Sequence, residues 1–299
     1  MAPPRSALRD AGDRAVANTL FGLTRLLGAM PIDRALRTAH RLGTALGPRT
    51  GRHRIVLRNL ERAFPDLPRT ERERIGAQMW GHQARLIVEA AFPRRLFDYD
   101  PLAPAGRVEV TNALDLSARR EMGTPTLFFT AHTGCFELLP GVGRRLDYPM
   151  ATLFRAPNNR HLAERLMAER RDLNGLLVRA GRGAAATLAS ELKAGRSVGV
   201  LVDQKFRTGP MVPFFGHDAP TNPLVARLAR LTGGEVVPVR CIRLPDQRYR
   251  IDIEAPLALP LMESGEVDVP TALAMINAKV ETWVREHPEQ WMWFHRRWG

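Results

Sequence analysis

Thr126-Leu127-Phe128-Phe129-Thr130-Ala131-His132-Thr133-Gly134-Cys135-Phe136-Glu137 reads as a buried strand that runs into a reactive turn. The first six residues are apolar or β-branched, and a helical stretch over 138–146 follows the turn. In open α/β folds ligands bind outside the carboxyl ends of the strands, so the junction at His132 is the candidate site. Outward from it, further β-prone runs lie at 108–110, 150–154, 176–178, 197–201, 236–242 and 249–253. Helical patterns over 138–146, 160–173, 184–194 and 224–231 separate several of them. Strands alternating with helices predict an α/β fold, with a central, mostly parallel sheet flanked by helices.

The amino-terminal third has a different texture. Residues 1–13 are rich in Pro, Ala and Arg and are expected to fray. Val16, Leu20, Leu23, Leu27 and Met30 then recur at steps of four and three, which is one face of a helix ended by Pro31. That helix, over 14–31, either packs on the core or lies in a membrane plane with Arg14 and Arg25 meeting lipid phosphates. Residues 33–62 are helical and strongly basic, a solvated face or a patch for anionic lipid or a phosphorylated sugar. After the Phe64–Pro68 break, Thr70 and Glu73 have capping-box spacing at the head of a helix reaching Ala91. The chain is expected to be one domain, helical over 1–95 and an α/β core over 105–299, closed by a helix at 270–286.

Across 299 residues, 44 Lys+Arg against 31 Asp+Glu give a net charge of +13, which attracts anionic partners. A basic nucleic-acid-binding protein is one reading of that charge, but no helix-turn-helix, aromatic RNA motif or zinc module accompanies it. Cys135 and Cys241 are the only cysteines, too few for a disulfide scaffold or a four-cysteine metal site. No uncharged apolar run approaches the roughly 18–20 residues that span a bilayer, and residues 1–14 carry no signal-peptide apolar segment.

His132 and Glu137 are the candidate chemistry. A histidine oriented by a carboxylate is a general base, because the carboxylate fixes the tautomer and stabilises the imidazolium. In a continuous helix, five positions would put the two side chains about 140° apart, so they meet only if the backbone turns at Gly134. His-x4-Glu alone is a weak pattern.

Ordered blocks surround it. Arg52–Asp66, the His132–Glu137 block, Leu153-Phe154-Arg155 with Pro157-Asn158-Asn159, Val202-Asp203-Gln204 with Val212–Gly216 and Thr221, Val237-Pro238, and His287–Arg297 follow in sequence. Together they resemble the bacterial lipid A biosynthesis acyltransferases over most of the chain. The resemblance implies a glycerol-phosphate-acyltransferase-like sheet and an acyl-carrier-protein or coenzyme A thioester as donor, with no cofactor. It implies direct attack by a hydroxyl of a lipid A precursor or related glycolipid, His132 acting as base and Glu137 as its partner. Arg155 and Asp203 would line the site, Arg155 suiting a phosphate or oxyanion and Asp203 orienting Arg155 or a substrate hydroxyl. Gln204, Thr221 and Arg227 would extend the substrate-binding surface. The family also implies the cytoplasmic face of the inner membrane, reached by peripheral attachment to anionic lipid or by a single amino-terminal anchor. Cys135-Phe136 departs from the Asn-Trp common at this place in the family, which bears on the acceptor rather than on the acid–base pair.

Other residues have plainer readings. Cys135 is close enough to His132 to suggest a thiol nucleophile, against a packing cysteine. Gly181-Arg182-Gly183 is a turn, and His217-Asp218 lies in a Gly/Pro-rich loop. Phe214-Phe215 belongs to the core or to an acyl channel. Trp291, Trp293, Phe294 and Trp298 pack on the sheet or form an interfacial belt.

Overall fold

The amino-terminal third carries the long helices α1 (Ala7–Gly28), α2 (Ile32–Leu46), α3 (His53–Ala63) and α4 (Arg69–Ala91). The computed structural model describes residues 7–101, 106–148, 150–155, 159, 161, 163 and 175–299. Helix α1 starts at Ala7, inside the stretch expected to fray. Pro31 and Pro68 stand in extended geometry just before α2 and α4, where a missing N–H costs nothing. Helix α4 therefore begins at Arg69, Thr70 lies within it, and Glu73 pairs with Arg69 at 2.8 Å. The expected capping box does not form.

After the short α5 (Pro93–Leu96), strands and helices alternate. They are β1 (Val108–Thr111), α6 (Ala113–Glu121), β2 (Thr126–Thr130), α7 (Leu139–Arg145), β3 (Met150–Phe154), β4 (Leu176–Arg179), α8 (Ala184–Lys193) and β5 (Ser197–Leu201). The hairpin β6 (Met211–Phe214) and β7 (His217–Pro220) comes next, then α9 (Leu224–Thr232), β8 (Glu235–Arg243), β9 (Tyr249–Ile253) and α10 (Val269–Glu286). The helix expected at 160–173 lies outside the described residues apart from isolated positions. Seven strands form one sheet in the order β1-β9-β8-β2-β5-β3-β4, parallel except between β8 and β9. The hairpin replaces the loop expected around His217. Pro213 and Pro220 hide its strand pattern, and Phe215 and Gly216 turn it with φ of 52° and 71°.

Strand β2 is buried on both faces. Leu127 and Phe129 join a core with Leu188, Val225, Val280 and Trp283 of α8, α9 and α10. Phe128 points the other way, into a core with Leu36 of α2, Val88 of α4 and Val142 of α7. The amino-terminal helices contribute to both cores, since Val56 and Met79 belong to the first. The second core also encloses charge: Glu89 of α4 accepts from Arg243 at 2.9 and 2.5 Å and from the Tyr249 hydroxyl at 2.9 Å.

Candidate active site

Strands β2 and β5 are parallel neighbours whose last paired residues are Thr130 and Leu201. The chain ends that emerge beyond them, Ala131-His132 and Val202-Asp203, therefore lie side by side. The His132 N–H donates to Asp203 Oδ2 at 2.9 Å, and His132 Nδ1 donates to Asp203 Oδ1 at 2.7 Å. The Trp291 indole adds a third donor, to Oδ2 at 2.7 Å. Burial alone would raise the Asp203 carboxyl. The adjacent His132 ring, its two hydrogen bonds and the Trp291 donor outweigh that and hold it well below the usual carboxylate range.

This arrangement leaves Nε2 of His132 as the acceptor nitrogen. The Gln204 amide donates to it at 3.1 Å, and the Phe136 ring packs against the imidazole edge at 5.0 Å. The His132 side chain keeps 13% of its surface exposed against 3% for Asp203, so a substrate can reach the ring but not the carboxylate. Gly134 turns the backbone as anticipated, with φ of 54°, and a Cβ there would lie 1.7 Å from the Cys241 carbonyl oxygen. No other residue fits.

The carboxylate on Nδ1 is Asp203, because adjacent parallel strands deliver residue 203 to the ring; Glu137, the partner expected from the sequence, lies on the 3-10 turn Phe136–Leu138 beyond Gly134. Asp203 correspondingly orients the histidine. Arg155 follows the end of β3, one strand beyond β5, and is exposed. Thr221 is buried, and its hydroxyl accepts from Arg297 at 2.8 Å and from Asn277 at 3.3 Å, which commits it to the interior. Arg227 is exposed on α9 and lines a groove of about 840 Å³ with Pro210, Leu231 and Val269. Cys135 is fully buried and burial pushes its thiol up, so it stays a protonated packing group rather than a nucleophile. Phe214 and Phe215 pack with Trp291, Trp293 and Trp298 in the core.

A histidine with one nitrogen held by a buried carboxylate and the other turned to an accessible side is a proton-transfer device. The model of the bacterial lipid A biosynthesis acyltransferase family matches residues 5–299. The chain belongs to this family. It is 28% identical over 274 residues to the lipid A biosynthesis palmitoleoyltransferase of Escherichia coli (strain K12), covering 86% of this chain and 83% of that one. The lauroyltransferase of the same strain is 26% identical over 279 residues, covering 86% and 84%. A Shigella flexneri lipid A biosynthesis acyltransferase is 28% identical over 274 residues.

In this acyltransferase, sequence reasoning overlooked the part played by Trp291 and His295. Trp291 was expected in the core or at an interface, and it is in the core, but its indole N–H is spent on Asp203. A buried tryptophan needs a hydrogen-bond partner, which was the available signal.

Proposed function

We propose that this acyltransferase moves a fatty acyl chain from a thioester to a hydroxyl of a lipid A precursor, with His132 as the general base. The hydroxyl replaces the Gln204 amide at Nε2 and gives up its proton there as its oxygen attacks the thioester carbonyl. An ester C–O bond forms, the C–S bond breaks, and the departing thiolate takes the proton back from the imidazolium. Asp203 keeps the Nδ1 proton in place and stabilises the imidazolium. Arg155 offers its guanidinium to an acceptor phosphate or to the developing oxyanion. The donor is the thioester of acyl carrier protein, or of coenzyme A.

The observation that carries this reading is the 2.7 Å contact between His132 and a buried Asp203, in a chain of this family. The two Escherichia coli relatives carry different acyl names, palmitoleoyl and lauroyl, so the chain transferred here does not follow from likeness. Incubating the protein with acyl-carrier thioester and tetra-acylated precursor should give a heavier lipid by mass spectrometry, and His132→Ala should abolish it. Undiminished product from His132→Ala would remove the base.

On this reading the protein acts at the cytoplasmic face of the inner membrane. Among the described residues no helix is long and apolar enough to cross a membrane. Helix α1 does expose Val16, Leu23 and Leu26, and Arg14 and Arg25 are exposed on the same helix, which supports in-plane attachment to anionic lipid.

A further inference from the structure

One short stretch touches both halves of the site. Residues 290–295 leave the 3-10 turn Pro288–Gln290 and pass the ends of β2 and β5. On the β2 side, the Gly134 N–H donates to the Gln290 carbonyl at 3.1 Å and the Met292 N–H donates to the His132 carbonyl at 3.2 Å. Thr133 and Trp291 form an antiparallel bridge between those bonds. On the β5 side, the Trp291 indole donates to Asp203, and the Lys205 N–H donates to His295 Nε2 at 3.1 Å. The stretch is anchored in turn by buried amides. Asn59 Nδ2 on α3 donates to the Trp293 carbonyl at 2.8 Å and to the His295 carbonyl at 2.7 Å. The Gln290 side chain bonds both the N–H and the carbonyl of Arg243 at the end of β8, at 2.9 and 3.0 Å.

We infer that residues 290–295 are a clamp that sets His132 against Asp203, with Trp291 and His295 as its positioning residues. This rests on the proton-transfer reading of His132. Sheet pairing between β2 and β5 stops at Thr130 and Leu201, and beyond it a single bond, from the Val202 N–H to the Thr130 carbonyl at 3.0 Å, continues the ladder. Two loops leaving a sheet diverge unless something joins them, and a misplacement of about 1 Å at such a pair costs about 10²-fold in rate. The clamp supplies that join, because each loop makes two hydrogen bonds to the same stretch, residues 290–295. His295 must present an unprotonated Nε2 to accept from Lys205, and burial, which lowers its pKa, keeps the ring neutral.

Trp291→Phe keeps the ring and removes the donor to Asp203. A carboxylate with one donor fewer pulls harder on the Nδ1 proton of His132, which makes the ring the stronger base. In the full-length protein labelled with ¹⁵N-histidine, the Nδ1–H resonance of His132 should move. With lauroyl-carrier-protein and tetra-acylated precursor, kcat should fall about tenfold at unchanged KM, and the acid limb of kcat/KM should move to higher pH. A native Nδ1–H resonance together with a native pH profile overturns the clamp. The resonance needs no turnover, so a shifted resonance in a protein whose product forms without His132 would sink the catalytic reading while leaving the clamp standing. His295 gives a second handle should Trp291→Phe not fold. His295→Gln retains an acceptor for the Lys205 N–H and His295→Leu does not, so His295→Leu should be about tenfold lower in kcat than His295→Gln. Equal rates for the two overturn the proposal.

Discussion

Two buried acid–base clusters stand at the same end of the sheet, on His132–Asp203 and on Glu89–Arg243, and they differ in the cation that faces the carboxylate. Both carboxylates are fully enclosed and both are held low against the effect of burial, Glu89 down to about 2 by Arg243, Arg85 and Tyr249. The cations differ. Arg243 is itself buried, meets Glu89 with two donors, and keeps its proton at any ordinary pH. Its neighbour Tyr249 is likewise enclosed, and burial pushes that phenol up beyond any working pH. His132 sets one ring nitrogen on Asp203 and turns the second toward an accessible side. Depressed carboxylates therefore do not by themselves mark catalysis. The two clusters are told apart by the partner's open nitrogen.

The largest effect expected from that contrast is on rate. Asp203→Asn should lower kcat by about 10² to 10⁴, because the ring loses both its tautomer control and its counter-charge. Glu137→Gln should cost less in the same lipid-product assay. A greater loss from Glu137→Gln would return the orienting role to Glu137 and break the contrast as drawn.

Arg243→Met should act on stability instead. It strands Glu89 in the core with Arg85 and Tyr249, and removing one partner of a buried pair costs about 3–5 kcal/mol, measurable by urea unfolding. Turnover per folded molecule should change by less than about tenfold. A collapse of kcat at native stability would make the second cluster part of the catalytic machinery.

Acid should find the same cluster. Glu89 has a folded-state pKa of about 2 against an ordinary value near 4.5. Its contribution is therefore fully present above about 4.5 and is lost as pH falls from there toward 2. Unfolding free energy measured across that window should decline in the native protein and more shallowly in Glu89→Gln. Identical slopes would mean that Glu89 is not the group being titrated.

The smallest effect concerns α1, which neither cluster touches. Leu23→Glu with Leu26→Glu should weaken binding to anionic phospholipid vesicles about three- to tenfold in a flotation assay, since two half-exposed leucines bury only part of their surface in lipid. Unchanged flotation would move the membrane contact elsewhere on the protein.

Much of this molecule was legible in order along the chain. The strands β2, β3, β5 and β9 fall where β-prone runs predict them, β2 and β5 as nearly continuous apolar runs that are buried along most of their length and β9 as an alternation of buried and half-buried positions. The histidine after β2 and the turn at Gly134 are local as well, a reactive group at a strand end and a backbone angle that excludes a Cβ. The family blocks are an ordered string and need no coordinates.

What escaped was contact between distant residues. Asp203 reaches His132 across 71 positions, and Trp291 reaches Asp203 across 88. Both depend on β5 being laid beside β2 and on α10 returning the chain to the same edge. Thr221 looked available and is enclosed, since a hydroxyl's exposure depends on what packs over it, here Arg297 and Asn277. By itself the sequence determined the α/β alternation, the histidine at the strand end and its turn, because those follow from local periodicity and backbone sterics. Only the tertiary structure decided which carboxylate holds that histidine, because that depends on strand order, and no local pattern encodes which strands become neighbours.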